Sequence, residues 1–335
     1  MKTVRVDEAV GMPLAHDITQ IIPGQFKGAR FSKGHIVTER DIPVLLSMGK
    51  EHLYVLDLGA DDVHEDEAGK RIAAAAAGPN IQLNPKGEGK VELTAACKGV
   101  FYVNSARLMQ LIDDDEVMFS TIQSGQVVKS GDLLAGTRVI PLYVSEETVR
   151  RAEAVQEVVH VARMRHARVG IVTTGSEIYH GRIQDKFGEI LRQKFLDLGS
   201  EVIRQVFADD DTEMIAACIR QLCAQGADFI AVTGGMSVDP DDRTPAGIRC
   251  AGVDIVTYGA PVLPGAMFLL GYLNDIPVVG LPGCVMYHGA SVFDLVVPRL
   301  LAGERMDRTA MKRFAEGGLC RGCRICTYPN CGFGK

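Results

Sequence analysis

Four of the nine cysteines of this chain crowd its C-terminal stretch, "CRGCRICTYPNCGFGK" (320–335). Their spacing is C-x2-C-x2-C-x4-C, and the four thiols belong to Cys320, Cys323, Cys326 and Cys331. Four thiolates so close in sequence can close on one metal centre, as they do in a tetrahedral zinc site or a [4Fe–4S] cluster. We predict a metal-binding tail that holds zinc or, by slight preference, an iron–sulfur cluster. The alternative is a flexible tail of reduced thiols.

Carboxylates that follow short apolar runs form a second group of residues with possible chemistry. The stretch "VTGGMSVDPDDRTP" (232–245) ends an apolar run in two glycines and an acidic segment, and Asp185 and Asp210 follow other runs. Glycine lets backbone amides approach an anion closely. Carboxylates repel an anion unless a cation such as Mg²⁺ lies between them. The sequence therefore predicts an anion site with magnesium, in which Asp242 and Asp239 hold the metal or position polar ligand groups.

The elements that position these residues are clearest from residue 167 onwards, where strand-like and helix-like segments alternate. This alternation predicts a three-layer α/β domain with a mostly parallel sheet. Ligands bind beyond the carboxyl ends of the strands in such a sheet. Three predicted strands end there in glycine-containing turns, "VTTGSE", "VTGGMS" and "VGLPG". We also predict a capping box of Asp210 and Glu213 at the next helix, and a closing helix over 286–301.

The remainder of the chain predicts smaller modules around this domain. The expected organisation is a small α+β module (1–60), a connecting helix or linker (61–88), a β-rich domain (89–145), a linking helix (146–166), the α/β domain (167–305) and the Cys-rich tail (306–335).

The composition of the chain argues against a nucleic-acid-binding protein and against a membrane protein. The formal net charge is −6, so the chain offers no basic field for nucleic acid. No window reaches the length of apolar sequence that a membrane span needs, and the N-terminal residues have no apolar signal core. We expect a soluble cytoplasmic protein that binds neither nucleic acid nor membrane.

Five segments between residues 167 and 305 follow one another as "TTGSEI", "GRIQD", "VTGGMSVDPDD", "LPGAMFLLG" and "GLPGCVMYHG". Their order and glycine placement resemble the molybdopterin-binding domain of molybdenum cofactor biosynthesis. The resemblance implies the α/β fold of that family and molybdopterin or its adenylylated form as ligand, with Mg²⁺ and molybdate as further partners. It also implies a homo-oligomer, and a molybdoenzyme or cofactor-assembly protein as a partner.

The resemblance places the site on particular residues of this chain. It implies that Asp185, Asp210 and Asp242 serve the magnesium or molybdate chemistry. The implied pterin-binding residues lie in the strand-end turns: Thr174, Gly175, Ser176, Glu177, Thr233, Gly234, Gly235, Met236, Ser237, Thr244, Pro264, Gly265, Pro282 and Gly283.

The chain mixes the signatures of different branches of this family. "GGMS" and the N-terminal extension are similar to the molybdenumtransferase branch, whereas "DRTP" (242–245) is similar to the D-x-T-P of the adenylyltransferase and nicotinamide branches. The chain departs from the transferase pattern at four positions. Lys186 and Phe187 replace the usual Ser-Asn, Ala266 replaces a lysine, and Cys284 replaces an asparagine.

Three hypotheses follow from this mixture. The first, which we favour, is an enzyme or chaperone of molybdenum cofactor assembly that binds molybdopterin or its adenylylated form and, as a transferase, inserts molybdate with magnesium-dependent release of AMP. The second is a non-catalytic carrier or sensor of molybdopterin with a redox-active or zinc-binding tail. The third is a hydrolase of nicotinamide nucleotides.

Overall fold

The computed structural model describes residues 2–22, 26–56, 61–237, 239–240 and 242–335. The chain divides into two compact units. The first comprises Met1–Cys97, Val103–Ile122 and Lys129–Val161, and the second comprises Lys98–Tyr102, Gln123–Val128 and Ala162–Lys335. Among the described residues, no helix is long and apolar enough to cross a membrane.

The described residues of the N-terminal half form short strands and α-helices. In chain order these are β1 (Lys2–Arg5), β2 (Ile18–Ile22), β3 (Phe26–Phe31), α1 (Ile42–Ser47), β4 (His52–Val55), β5 (Asp62–His64), α2 (Glu65–Ala76), β6 (Ile81–Gly87), β7 (Lys90–Ala95), β8 (Gly99–Val103), α3 (Ser105–Leu111), β9 (Val117–Thr121), β10 (Val127–Val128), β11 (Leu133–Val139), β12 (Tyr143–Ser145), α4 (Glu146–Glu153) and β13 (Val159–Arg163). Strands β6, β7, β11 and β9 form an antiparallel sheet in that order. Arg71 of α2 binds both Glu146 and Glu153 of α4, at 2.8 and 2.6 Å, and so ties the two helices together.

The second unit contains the predicted α/β domain. Its elements are β14 (Arg168–Thr174), α5 (Ser176–Tyr179), α6 (Phe187–Asp197), β15 (Glu201–Ala208), α7 (Thr212–Ala224), β16 (Phe229–Thr233), α8 (Thr244–Cys250), β17 (Asp254–Tyr258), β18 (Leu269–Leu273), β19 (Ile276–Leu281), α9 (Val292–Leu301) and α10 (Arg308–Lys312). The sheet order is β15-β14-β16-β19-β18-β17, and its first four strands run parallel. The predicted mostly parallel α/β fold is therefore confirmed.

Side chains of the parallel strands alternate between two cores, as the period of a strand requires. Ile171 of β14 lies in one buried cluster with α6 and α9, whereas its neighbour Val172 lies in the other with α7. Phe229 and Ile230 of β16 divide in the same way. Each face of the sheet is thus covered by helices, which gives the predicted three layers.

The structure corrects several expected boundaries. The helix predicted over 146–166 ends at Glu153, and the β-branched run that follows forms β13 instead. Strand β18 was not predicted; it pairs antiparallel with β19. The cap of α7 is Asp211, whose side chain accepts a hydrogen bond from the Met214 amide at 2.8 Å, so the predicted capping role of Asp210 is wrong. The closing helix begins at Val292, because Ser291 and Asp294 form its capping box.

Candidate ligand site at the strand ends

A cavity of about 360 Å³ lies at the carboxyl ends of β14 and β16, and we call it the strand-end cavity. Four of the residues implied by sequence line it: Thr174, Asp185, Thr233 and Gly234. Strands β14 and β16 are parallel neighbours, so Thr174 and Thr233 lie at the same edge of the sheet. Ligands of such sheets usually bind beyond this edge. The structure therefore brings these four residues together at one cavity, and their roles in ligand binding stay predictions.

The backbone at Gly234 lies in close contact with the backbone at Thr174, beside the strand-end cavity. Gly234 has φ +87°, and a Cβ added to it would stand 2.2 Å from the carbonyl oxygen of Thr174. Only glycine fits there, because an L side chain would meet both backbone strain and a clash. The Thr174 hydroxyl donates to the Thr233 carbonyl at 3.1 Å and lies 2.8 Å from the Thr244 hydroxyl. These contacts hold the two turns and the start of α8 together.

Thr233 contributes the unusual polar group of the cavity wall. Its side chain is fully buried, and its Oγ1 has no hydrogen-bond partner in the described structure. A buried hydroxyl without a partner costs free energy, so such a group is expected where a ligand or a water completes the bonding. Thr233 is therefore the buried polar group at the end of β16 that lacks a described partner, and its role in ligand binding stays a prediction.

The carboxylates after β15 organise the turn after β14. Asp210 accepts a hydrogen bond from the Ser176 amide at 2.9 Å through Oδ2. Its Oδ1 lies 3.6 Å from the position that a Cβ on Gly235 would take, and it accepts no hydrogen bond from the described residues. Asp209, which the sequence did not single out, accepts from the Ser176 hydroxyl and lies 3.3 Å from His180. The Ser176 hydroxyl and the Asp210 amide hold the pKa of Asp209 below its ordinary value.

Asp185 acts as a helix cap within the cavity wall. Its Oδ1 accepts from the Phe187 amide at 2.8 Å, and its Oδ2 accepts from the Gly188 amide at 3.1 Å. The side chain of Gln205 donates to the same Oδ2 at 2.6 Å. Both carboxylate oxygens are thus engaged at the N-terminus of α6, where a negative charge also meets the helix dipole favourably. Its implied catalytic role stays a prediction.

Other implied residues support the turns from positions off the cavity wall. Met236 is buried, and its Sδ and Cε pack against Gly280 of β19. Thr244 is fully buried and bound to Thr174, and the carboxylate of Asp242 accepts from the Asp239 amide at 3.1 Å. The Tyr258 hydroxyl donates to the carbonyls of Met236 and Ser237, at 3.0 and 3.1 Å, and so fixes the end of this turn.

The two proline-glycine turns lie at the same edge of the sheet but outside the cavity lining. Strand β18 begins opposite the end of β19, with Leu269 paired to Gly280, so the loop that contains Pro264 and Gly265 approaches this edge. Gly265 packs against the start of α9, since an added Cβ would stand 2.4 Å from the Cβ of Val292. A Cβ added to Gly283 would meet no atom of the described residues within 4 Å. Roles in ligand binding for these four residues, which include Pro282, stay predictions.

Several lining residues were missed by sequence reasoning. Lys186 lines the cavity and is exposed, and no described residue pairs with its ammonium group. Tyr287 lines it as well, with 81% of its surface exposed, and Met286 lies beside it. In the sequence, Lys186 is visible only as a departure from a family motif. Its position directly after Asp185 could have shown that a positively charged side chain lies near the predicted site.

The four tail cysteines line one other cavity, which we call the tail cavity. Among the residues that the structure describes, no three His, Cys, Asp or Glu side chains are placed to share a single metal ion. The magnesium site and the tail metal are therefore still predictions.

Comparison with known proteins agrees with the geometry. Residues 170–302, which include every residue that lines the strand-end cavity, match a family model described as a probable molybdopterin binding domain. Residues 3–57 match a second model, described only as a domain of unknown function.

Curated relatives cover the chain unevenly. The molybdopterin molybdenumtransferase of Bacillus subtilis (strain 168) is 25% identical over 276 residues, which cover 79% of this chain and 61% of that protein. The CinA-like protein of Mycobacterium sp. (strain MCS) is 37% identical over 91 residues, which cover 27% of this chain and 22% of that protein.

Among solved structures, the molybdopterin biosynthesis enzyme MoaB of Thermus thermophilus is similar with a TM-score of 0.34 and 22% identity, over 41% of this chain and 98% of that chain. The residues that match the family model include the whole lining of the strand-end cavity. Residues 170–302 of this chain are thus similar to the probable molybdopterin binding domain family.

Proposed function

We propose that the strand-end cavity binds molybdopterin or its adenylylated form, and that the protein acts in molybdenum cofactor biosynthesis. The observation that carries this proposal is the position of the cavity. It opens at the ends of β14 and β16, inside the matched domain, beside a turn in which the Gly234 backbone touches Thr174. The similarity to the Bacillus molybdenumtransferase over 79% of this chain supports the same assignment.

A cation at the cavity supports an anionic ligand. The lysine that the transferase branch carries is Ala266 here, but Lys186 lies on the cavity wall and has no described partner. An ammonium group can bind a phosphate oxygen through a charge-assisted hydrogen bond. Lys186 therefore replaces the missing cation from another position, and the exposed ring of Tyr287 offers a surface for a flat heterocycle.

One carboxylate oxygen, Oδ1 of Asp210, is available beside the cavity lining for a magnesium ion whose other ligands would come from the bound compound and water. Mg²⁺ is usually held by one or two carboxylates together with substrate phosphates and water. Asp210 keeps Oδ1 free of described donors, at the turn that faces Gly235. Asp210 would hold the ion, which would neutralise phosphate charge during insertion of molybdate and release of AMP.

The first experiment measures binding of molybdopterin and of adenylylated molybdopterin to the purified protein, with magnesium and molybdate present or absent, and follows AMP release. Tight binding with AMP release that depends on molybdate supports the transferase. Tight binding without release supports the carrier or sensor. Absence of binding to either compound contradicts the proposed function.

The carrier or sensor is the second candidate, and the engagement of Asp185 favours it. Both oxygens of Asp185 already accept hydrogen bonds, so this carboxylate stabilises α6 rather than reaching a metal. A substitution at Asp210 separates the candidates: Asp210→Asn should abolish AMP release by a transferase but change the affinity of a carrier only modestly. Release of ammonia or phosphate from a nicotinamide nucleotide would instead support the third candidate, the hydrolase suggested by "DRTP".

Lys186→Gln tests the cation in the cavity. We expect the affinity for molybdopterin to fall about tenfold, which corresponds to about 1.4 kcal/mol, because one charge-assisted hydrogen bond is lost. The loss should shrink at high salt, since screening weakens the contact in the wild-type protein. The matched control is Lys312→Gln, an exposed lysine of α10 that lies outside the cavity lining. Equal affinities of both variants would remove Lys186 from the site.

A further inference from the structure

The tail cavity has a volume of about 210 Å³ and is lined by all four cysteines of the C-terminal motif. The remaining wall comes from the tail itself and from the loop before α9, with His288, Tyr328 and Phe333 among the side chains. The other five cysteines of the chain lie elsewhere, and none of them lines this cavity. The fold therefore gathers the four thiols of the motif around one space.

The tail is fixed at both ends of the cysteine motif. The Gly334 amide donates to the Gly317 carbonyl at 2.8 Å, which closes the tail into a loop. Near the first cysteine, the Cys320 amide donates to the Leu263 carbonyl at 2.7 Å. Phe333, which is 4% exposed, anchors the other end in the core. The cavity is thus built into a closed loop.

A third anchor lies inside the loop, between the third and fourth cysteines. The Tyr328 hydroxyl donates to the carbonyl of Asp294 in α9 at 3.0 Å, and its ring packs near Phe333. Cys320 and Cys331 are partly buried against the same core, whereas Cys323 and Cys326 are exposed. Two of the four cysteines are therefore partly buried and two are exposed, and all four line the same cavity.

The space that the four cysteines line bears on the kind of metal centre. A single zinc ion draws four sulfurs to about 2.3 Å from one point and leaves no space between them. Here the four cysteines line a cavity of about 210 Å³. An iron–sulfur cluster spreads its four thiolate ligands over several iron atoms and fills the space between them.

We propose that the tail cavity is the site of a [4Fe–4S] cluster ligated by Cys320, Cys323, Cys326 and Cys331. Arg321 lines the same cavity, and its positive charge offsets part of the negative charge that four thiolates bring. The aromatic rings of Tyr328 and Phe333 limit solvent on the buried side, and burial is one determinant of the reduction potential of a cluster. The proposal does not depend on the ligand of the strand-end cavity.

The loop that precedes α9 lies between the two cavities. Met286 and Tyr287 line the strand-end cavity, and the next residues, His288, Gly289 and Ala290, line the tail cavity. Gly289 touches a ligand directly, since a Cβ added to it would stand 2.9 Å from the Cβ and 3.1 Å from the Sγ of Cys326. A cluster in the tail cavity is therefore one loop away from the proposed pterin site.

The test is anaerobic reconstitution of the full chain with ferrous iron and sulfide, and separately with zinc alone. We expect about four iron atoms and about four sulfides per chain, with the visible charge-transfer absorption and the EPR signal of a reduced [4Fe–4S] cluster. About one zinc ion per chain, with no sulfide-containing species formed, would overturn the cluster in favour of a mononuclear site. Failure to bind either metal would overturn both.

Two pairs of variants keep the test specific to the cavity. Cys323→Ser removes an exposed ligand and should lose most of the iron, whereas Cys250→Ser, at a thiol bound to Glu213 in another part of the domain, should keep it. Gly289→Ala should lower the iron content by displacing Cys326, whereas Gly136→Ala, whose new Cβ would meet only the Val91 carbonyl at 3.9 Å, should not. Circular dichroism confirms that each variant is folded. Equal iron content within either pair would contradict the assignment of the ligands.

Discussion

The strand-end cavity and the tail cavity lie in the same unit of the molecule, but they are assembled in opposite ways. The residues of the strand-end cavity come from distant parts of the sequence, and the sheet brings Thr174 and Thr233 together. The tail cavity takes its four thiols from residues 320–331 and closes them into a loop through Gly317 and Gly334. The first site therefore depends on the register of the whole sheet, and the second on local spacing and a few anchors.

This difference predicts how each site fails. Damage to the strand-end cavity should be coupled to the stability of the domain, because its walls are the ends of core strands. Damage to the tail cavity should mainly remove the bound metal, because exposed thiols contribute little to the core. The variants below test this contrast, beginning with the largest expected effect.

Gly234→Ala should be the most destabilising of these changes. The new Cβ would stand 2.2 Å from the Thr174 carbonyl oxygen, at a φ of +87°. We expect the free energy of unfolding to fall by about 3 kcal/mol, since a strained backbone conformation alone costs about 1–3 kcal/mol. Urea unfolding measures the loss.

The control for Gly234→Ala is Gly289→Ala in the loop beside the tail cavity. Its Cβ meets the Cβ and Sγ of the exposed residue Cys326 rather than a core strand, so the tail loop has to shift but the sheet does not. We expect its unfolding free energy to stay within about 1 kcal/mol of the wild-type value while its iron content falls. If both variants lost the same unfolding free energy, the strand-end cavity would not be more closely coupled to domain stability than the tail cavity.

The same contrast explains which parts of each site the sequence could predict. The spacing of Cys320, Cys323, Cys326 and Cys331 is a local property, so the four thiols could be grouped from sequence alone. The strand ends could also be located, because apolar runs and glycine turns are local patterns. Both predictions use information within a few residues of each site.

The side chains that complete each site could not be predicted in this way. The unpaired hydroxyl of Thr233 and the position of Lys186 on the cavity wall depend on how distant segments pack. The role of Asp185 as a helix cap depends on where α6 begins, and helix ends are the least certain part of a sequence prediction. Residues 286–290 were predicted as the start of a helix, but α9 begins at Val292. Their position as a loop that lines both cavities therefore could not be predicted from sequence.

Two threonines on the strand-end cavity should respond in opposite directions. Thr174→Val leaves the Thr244 hydroxyl without its partner, and we expect a loss of about 2 kcal/mol in unfolding free energy. Thr233→Val removes a buried hydroxyl that has no described partner, so stability should stay the same or rise by about 1 kcal/mol. Its affinity for molybdopterin should nevertheless fall about tenfold, if the ligand is the missing partner.

Urea unfolding and ligand titration measured on both threonine variants separate these effects. A large loss of stability in Thr233→Val would show that its hydroxyl is satisfied within the protein. Unchanged affinity in a stable Thr233→Val variant would show that the ligand binds away from the end of β16. Either result would sharpen the location of the ligand within the cavity.

The smallest effect is expected at the anchor of the tail. Burial and the nearby charge of Asp294 raise the pKa of Tyr328 above its ordinary value. The folded state therefore favours the protonated phenol, so its contribution to stability is complete below about pH 10 and is lost as the pH rises further. Tyr328→Phe should lower the unfolding free energy by about 1 kcal/mol at pH 7, through loss of the hydrogen bond to Asp294, and should flatten the alkaline decline.

Urea unfolding between pH 7 and about pH 11 measures both consequences of Tyr328→Phe. The matched control is Tyr179→Phe, an exposed tyrosine of α5 whose removal should leave the curve unchanged. If the unfolding free energy of Tyr328→Phe fell as steeply above about pH 10 as that of the wild-type protein, other titrating groups would be responsible for the alkaline loss of stability. A flattened decline together with a lower iron content would show that the Tyr328 hydrogen bond supports the tail loop from within, as a site built from local anchors requires.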